Sequence, residues 1–136
     1  MGFGDKIKPK VSFDKESDRY LILLETDNPA LLIGYHGNTL SGLQLFLGQH
    51  LHQALGEWIN LTVDVNDYRV RREQSLKILA DSTVEKVLET NQAYILPPMP
   101  ANERRVVHVY LAEHPQVTTA SSGEGKQRSV IISPKV

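Results

Sequence analysis

The chain has 136 residues, 40% of them hydrophobic and 23% charged, and a formal net charge of −1 at neutral pH. This composition is typical of soluble globular proteins, and the length allows one domain or two small ones. The absence of cysteine excludes disulfides, cysteine-based zinc sites and thiol catalysis. Because no segment has the roughly 18 uninterrupted apolar residues of a membrane span and no signal peptide begins the chain, a cytoplasmic location without membrane contact is expected.

The two halves of the chain differ in charge. Residues 1–66 contain five Lys/Arg and eight Asp/Glu, whereas residues 67–136 contain ten Lys/Arg and eight Asp/Glu. Neither half is polycationic, so binding of a nucleic acid would depend on local basic patches rather than on bulk charge.

Hydrophobic patterning in the first half predicts the element order β-β-α-α-β. A segment rich in Gly, Lys and Pro, residues 1–10, is interpreted as a flexible lead-in to strands near residues 11–13 and 20–24. Pro29 then begins a short helix, and Gly34 ends it after about one and a half turns.

A longer helix follows, and it starts near Asn38 or Thr39, either of which can serve as its N-cap. Its apolar residues recur at steps of three and four and predict one continuous buried stripe, formed by Leu40, Leu43, Leu47, Leu51, Ala54 and Leu55. Gly56 is expected to cap the C-terminus of this helix. Residues 59–65 alternate between apolar and polar side chains, a pattern that predicts a half-buried strand.

The second half predicts the order α-β-α-β-β. A long helix over residues 68–90 precedes a short strand over residues 93–96 and another helix over residues 100–113. Strands over residues 117–122 and 129–132 are joined by a glycine-containing hairpin turn. Each half is therefore predicted to form an α+β unit with a three-stranded sheet, and each is small enough that an isolated core would be marginal.

Two glycines three residues apart, Gly34 and Gly37, separate the two helices of the first half. Glycine lets another chain approach the backbone closely, and the free N–H groups at the start of the second helix favour a phosphate. Glycines at this spacing also occur where they only turn the chain between two helices. The Gly-x-x-Gly pattern by itself leaves both interpretations open.

The stretch LLIGYHGNTLSGLQLFLGQHL, residues 31–51, resembles the Gly-x-x-Gly motif of KH domains. With its third strand at the C-terminal end, the element order is similar to the type II arrangement, so the resemblance implies a KH type II-like domain over residues 11–66. In KH domains this loop clamps the backbone of about four single-stranded nucleotides. The resemblance places that contact on Gly34, Tyr35, His36, Gly37, Asn38 and Thr39.

The sequence departs from the KH pattern at Tyr35 and His36, where family members usually carry a polar or basic pair. Tyr35 could stack on a base, and His36 could contact a phosphate more strongly as it becomes protonated. Phosphate binding is therefore expected to be weaker and more pH-dependent than it would be with a lysine in the loop.

Arg104 and His108 are four residues apart and share one face of their predicted helix, whereas Val107 and Leu111 form an apolar face. An Arg–His pair at this spacing is often only a solvated surface feature. With Pro100, however, the pair forms the pattern Pro-x-x-x-Arg-x-x-x-His, which resembles the defining motif of the R-x-x-x-H (Arg–His motif) domain. This small domain is associated with single-stranded nucleic acid, and the resemblance implies that it occupies residues 67–136.

A cluster of arginines begins the long helix, where Arg69 and Arg72 share a face. Cations at a helix N-terminus are unfavourable unless they have acidic partners or an anionic ligand. Asp67 and Glu73 could be such partners, so local salt bridges are an alternative to ligand binding. Three further cations could extend a basic surface from Arg104, and these are Arg105, Lys126 and Arg128.

The order of the two domains resembles that of the bacterial Jag (SpoIIIJ-associated, KhpB-like) family of RNA-binding proteins over about residues 11–135, without the N-terminal Jag domain that family members often carry. The resemblance implies non-catalytic binding of single-stranded RNA without cofactor or metal, and a homodimer or a small KH-protein partner. Catalysis is not expected, because the sequence has neither a nucleophile elbow nor a P-loop. Two alternatives stay open, namely a protein-interaction or dimerisation module whose KH loop has lost RNA binding, and binding of single-stranded DNA.

Overall fold

The computed structural model describes residues 7–136, and their contacts divide the chain between Arg69 and Val70 into two units. Each unit has its own three-stranded sheet and its own hydrophobic core, so the predicted α+β class is confirmed. Among the described residues, none of the helices combines the length and the hydropathy that crossing a bilayer requires.

The first unit consists of strands β1 (Lys8–Asp14) and β2 (Arg19–Glu25), helices α1 (Pro29–Ile33) and α2 (Asn38–Leu55), and strand β3 (Leu61–Val65). β2 lies in the centre of the sheet, paired antiparallel with β1 and parallel with β3. A parallel pair needs a crossover connection, and the two helices provide it. The β-β-α-α-β order predicted from hydrophobic patterning is therefore the observed order.

The core of this unit lies between the two helices and one face of the sheet. Ile33 and Leu40 from the helices are buried together with Leu61, Val63 and Val65, the alternate residues of β3. Burial of each such aliphatic side chain contributes about 1.5–3 kcal/mol. The strict alternation seen in the sequence of β3 correctly predicted which of its residues face the core.

Two predictions for the first unit need correction. The flexible lead-in was expected over residues 1–10, of which 1–6 lie outside the described residues, but Lys8 to Lys10 already belong to β1 and pair with Leu23 to Glu25. Pro9 is tolerated there because β1 is an edge strand. The buried stripe of α2 ends at Leu51, since Ala54 and Leu55 are exposed. Helical periodicity shows which residues share a face but not how far the facing sheet extends.

The second unit contains most of helix α3 (Tyr68–Thr90), followed by strand β4 (Tyr94–Ile95), helix α4 (Ala101–Leu111), and strands β5 (Val117–Ser122) and β6 (Ser129–Pro134). The sheet order is β4-β6-β5, and both pairings are antiparallel. The predicted α-β-α-β-β order is observed, although α4 is shorter at both ends than the predicted 100–113.

One face of α4 supplies part of the core of the second unit. Val107 and Leu111 are buried, as their spacing predicted. Glu103 precedes Val107 by one helical turn and is only 4% exposed, so a carboxyl group lies on the buried face. The other main contributors to this core are Leu76, Ala80, Val84, Val87, Leu96, Met99, Val117, Val130 and Ile132.

Candidate nucleic-acid interface

The two glycines of the loop between α1 and α2 are required by both backbone conformation and space. Gly34 has φ 71° and ψ −172°, a region that is essentially limited to glycine. A Cβ atom on Gly34 would lie 2.2 Å from Oγ1 of Thr39, and one on Gly37, at φ 76°, would lie 3.0 Å from Cε1 of Tyr68. The loop therefore brings its backbone closer to neighbouring groups than a residue with a side chain allows.

We expect Gly34→Ala to lower the free energy of unfolding of the first unit by about 1–3 kcal/mol, because backbone strain and the clash with Thr39 act together. Urea unfolding followed by the fluorescence of Trp58, the single tryptophan of the chain, reports on this unit. Gly42→Ala is the control, because a Cβ at this helical position meets nothing within 4 Å. That change should be neutral or stabilising by up to about 1 kcal/mol. An unchanged unfolding midpoint for Gly34→Ala would contradict the strain argument.

The loop residues between and after the glycines face solvent to different degrees. Tyr35 is 76% exposed, His36 is half-buried, and their rings meet edge to face with centroids 4.1 Å apart. Asn38 and Thr39 are exposed, but neither is the N-cap that the sequence predicted. Gly37 occupies that position in a left-handed conformation and Asn38 is already helical, because the glycine turn begins the helix earlier. The first turn of α2 thus starts from a cap residue that has no side chain.

An open groove of about 340 Å³ runs along α2 in the first unit. Ser41, one turn beyond Asn38, lies at its wall, and Gln44 and Gly48 continue the same side of the helix. The opposite wall is formed by the segment that leads into β3, including Trp58 and Asn60. The groove therefore begins one helical turn from the glycine loop.

Two arginines, Arg19 and Arg69, line this groove and have only neutral partners. Nη1 of Arg19 donates a hydrogen bond of 2.8 Å to Oγ1 of Thr62. Nε and Nη2 of Arg69 donate to the carbonyl oxygen of Val63 at 3.1 and 3.0 Å, and Nη2 also donates to Oε1 of Gln44 at 3.0 Å. The acidic partner suggested by the sequence for Arg69 is not used, and no Asp or Glu of the described chain lines the groove. Both half-buried charges therefore lack an ionic partner.

Trp58 is a groove residue that sequence reasoning missed, as it missed Arg19. Its ring stacks on His52 with centroids 3.9 Å apart and an interplanar angle of 3°, yet the residue remains 68% exposed. The available signal was a large aromatic residue directly after the glycine cap of a helix, outside every predicted element. Such a ring is held in place on one face and presents the other to a ligand.

His108 lies on the face of α4 that meets strand β5. Its Nδ1 is 2.8 Å from Oγ1 of Thr119 and its Nε2 is 2.8 Å from Oγ of Ser121, two alternate residues on one face of the strand. A hydroxyl can donate or accept, so this pair can hold both the neutral ring and the imidazolium. The sequence did not indicate these partners, although alternate hydroxyl residues in a strand beside a helix are the signal that could have suggested them.

The cations near His108 differ in how they are held. The half-buried guanidinium of Arg104, one turn before His108, has no hydrogen-bond or ion-pair partner among residues 7–136, and Arg105 is exposed. Lys126 is exposed in the hairpin turn that joins β5 to β6. Nη1 of Arg128 donates a hydrogen bond of 2.7 Å to the carbonyl oxygen of Gly123 and so supports that turn. Arg104 is thus the half-buried cation of this surface that lacks a structural partner.

Arg72 is positioned differently, because it forms an ion pair with the buried carboxylate of Glu103. Nε donates to Oε2 and Nη2 donates to Oε1 at 3.1 Å, a bidentate arrangement. The predicted partners Asp67 and Glu73 are therefore wrong for Arg72, and Glu73 instead pairs with Lys77 at 3.3 Å. Since Arg72 neutralises a buried charge within its own unit, we do not include it in the binding surface proposed below.

Residues 74–134 match the family model of the R-x-x-x-H domain, the domain named after its Arg–His motif. This match and the Arg104–His108 arrangement identify the second unit as a domain of that class, as expected from the sequence. The chain as a whole is KhpB-like: it is 39% identical over 128 residues to RNA-binding protein KhpB of Bacillus subtilis (strain 168), an alignment covering 92% of this chain and 60% of that protein.

Two other relatives with the same name support this relationship. RNA-binding protein KhpB of Lactiplantibacillus plantarum is 38% identical over 117 residues, which cover 85% of this chain and 36% of that protein. The Clostridium symbiosum protein is 34% identical over 125 residues, which cover 92% of this chain and 56% of that protein. The chain therefore spans between about a third and three-fifths of the length of these relatives.

Proposed function

We propose that the chain binds single-stranded RNA without catalysing a reaction, through one surface on each unit. The first surface is the loop from Gly34 to Gly37 together with the groove along α2. The second is the Arg104–His108 face of the R-x-x-x-H domain. The names of the KhpB relatives, the match to the R-x-x-x-H family and the geometry of both surfaces support this function. The β-β-α-α-β order and the glycine loop support a KH type II-like assignment for residues 11–66.

The observation that carries the proposal is the pair of uncompensated arginines in the first groove. A half-buried guanidinium without a counterion is costly, and a phosphate would supply the missing charge through strong hydrogen bonds. Trp58 presents an aromatic face on which a base can stack, a contact that tolerates any base. The start of α2, one turn away, favours a phosphate through its dipole and its N–H groups. These features compensate for the absence of a lysine between the two glycines.

The second surface contributes a cation without a protein partner, Arg104, beside the oriented ring of His108. Each surface alone offers few ionic contacts, which predicts weak binding. Two weak sites on one chain strengthen each other through effective concentration when a single RNA reaches both. We therefore expect the intact chain to bind a longer single strand more tightly than either surface would by itself.

A specific observation favours a protein-interaction function as the second candidate. The eighteen residues of α2 contain no Asp, Glu, Lys or Arg. Leu45 and Phe46 on this helix are both 64% exposed. An uncharged helix face with exposed large apolar residues is typical of a protein contact surface, including a contact between two copies of this chain.

The proposed function predicts that single-stranded RNA quenches the fluorescence of Trp58. In a titration with an RNA of about 12 nucleotides, wild type should show saturable quenching, and Asn38→Asp should weaken the affinity about three- to tenfold by repelling a phosphate at the helix start. The same change should not destabilise the fold, because an acid at a helix N-terminus interacts favourably with the dipole. Gln49→Glu, an exposed position further along α2, is the matched control for charge.

The outcomes separate the candidates. Unquenched Trp58 together with no measurable RNA affinity would reject RNA binding and leave the protein-interaction candidate, which a concentration-dependent oligomeric state in sedimentation would then support. Equal effects of Asn38→Asp and Gln49→Glu would mean that the helix start makes no specific phosphate contact. The same titration with DNA of identical sequence tests whether the 2′-hydroxyl contributes.

A further inference from the structure

A second groove, of about 500 Å³, lies in the R-x-x-x-H domain between α3 and α4. Successive residues of a helix are about 100° apart, so α4 presents three distinct faces. Glu103, Val107 and Leu111 are buried, Arg104 and His108 lie on the side of β5, and Val106 and Tyr110 line the groove on the side of α3. The exposed ridge between the last two faces carries Arg105, Val109 and Asn102, which also line the groove.

The aromatic wall of this groove is fixed in position. The hydroxyl of Tyr110 donates to both carboxylate oxygens of Asp81 at 3.0 and 2.9 Å, and the ammonium of Lys77 lies 5.5 Å from the ring centroid. The hydrogen bond to the Asp81 carboxylate raises the pKa of the Tyr110 hydroxyl, so the phenol remains neutral. A ring that is already oriented loses little conformational entropy when a ligand packs against it.

The polar groups at the rim are available for a ligand. The side chains of Asn102 and Arg105 are exposed, and neither has a hydrogen-bond or ion-pair partner within residues 7–136. The one carboxylate of the lining, Glu73, is neutralised by Lys77. The groove thus combines an apolar wall, an aromatic ring, an amide that both donates and accepts, and one uncompensated positive charge.

We propose that this groove binds one base and the adjoining phosphate of a single-stranded RNA that also contacts Arg104 and His108. The base would pack against Val109 and Tyr110 with its edge towards the amide of Asn102, and Arg105 would hold the phosphate. Arg105 lies between the two faces, so the strand crosses the exposed ridge of α4, a span of about one helix diameter, ~10 Å. The uncompensated charge of Arg105 favours an anionic ligand of this kind over an uncharged apolar peptide. This proposal rests on the RNA-binding function proposed above.

The test compares two matched variants of the intact chain, Val109→Asp in the groove and Ile78→Asp outside it. These side chains are 68% and 69% exposed, so neither change should disturb the core. With a single-stranded RNA of about 12 nucleotides, we expect Val109→Asp to weaken the affinity about fivefold or more and Ile78→Asp to change it less than about twofold. Photocrosslinking with an RNA that contains 5-bromouridine should label the peptide that includes Tyr110.

The results distinguish failure of this proposal from failure of the RNA-binding function. If Val109→Asp binds as wild type does and no crosslink reaches α4, while the Arg104→Ala/His108→Ala variant is weakened, the groove proposal is overturned and RNA binding stands. If Val109→Asp and Ile78→Asp weaken binding equally, the effect is one of overall charge and the groove proposal is again overturned. Weakening by Val109→Asp alone, with a crosslink to Tyr110, supports the groove even when the Arg104→Ala/His108→Ala variant binds normally.

Discussion

Replacement of Arg72 by alanine is expected to lower the free energy of unfolding of the second unit by about 3 kcal/mol. The change removes both hydrogen bonds to Glu103 and leaves a carboxylate that is only 4% exposed without its neutralising partner. Because Arg72 itself is one-third exposed, we place the loss at the lower end of the range for a broken buried ion pair. Hydrogen exchange of the α3 amides around Leu76 to Val87 measures the loss within this unit.

Two further variants show whether the loss comes from the buried charge. Lys77→Ala breaks the exposed pair between Lys77 and Glu73 and should cost no more than about 0.5 kcal/mol. Combining Arg72→Met with Glu103→Leu removes both charges and should recover most of the stability lost in Arg72→Ala, since no carboxylate remains buried. If Arg72→Ala were no more costly than Lys77→Ala, the ion pair would contribute little to the fold and Arg72 would again be a candidate for ligand binding.

The second large effect is expected on RNA affinity. Arg104→Ala combined with His108→Ala should weaken binding of single-stranded RNA about tenfold at moderate salt, because the R-x-x-x-H domain loses its unpartnered cation and its oriented imidazole. The dependence of log affinity on log salt should become shallower by about 0.7 for each phosphate contact that is lost. Fluorescence anisotropy of a labelled RNA over a series of salt concentrations measures both quantities.

Stability controls separate binding from folding in this experiment. The guanidinium of Arg104 has no partner within the described part of the chain, so Arg104→Ala alone should leave unfolding unchanged. His108→Ala removes the ring that bridges Thr119 and Ser121 and is expected to cost about 1 kcal/mol for the hydroxyls left without it. A salt dependence identical to that of wild type, in a variant that remains folded, would show that Arg104 makes no phosphate contact.

The arginines of this chain illustrate why basic residues in a sequence do not by themselves identify a binding site. Arg69, Arg72 and Arg104 are all on helices, and sequence reasoning treated each as a possible ligand contact. In the structure Arg72 neutralises a buried carboxylate, Arg69 joins a strand carbonyl to an amide at the groove, and Arg104 has no partner among the described residues. The distinction depends on which acceptors lie within hydrogen-bonding distance, and only packing determines this.

The sequence by itself determined the order and type of the elements and the position of the glycine loop. Period-2 alternation in β3, three- and four-residue spacing in α2 and α4, and glycine or proline at helix ends are local signals, set within a few residues by backbone sterics and side-chain direction. For the same reason Arg104 and His108 were correctly placed on one helix face. The family motifs could be found in the sequence because they consist of neighbouring residues.

Tertiary structure alone decided the partners that give the site its chemistry. Arg19 and Arg69 meet at one groove although 50 positions separate them, Glu103 reaches Arg72 across 31, and His108 meets Thr119 and Ser121 of a different element. Such contacts arise when sheets and helices pack, and no local propensity encodes which distant side chain will fill the space opposite. The sequence therefore specified where the chain turns and which faces are apolar, whereas packing selected which charges are neutralised and which remain available to a ligand.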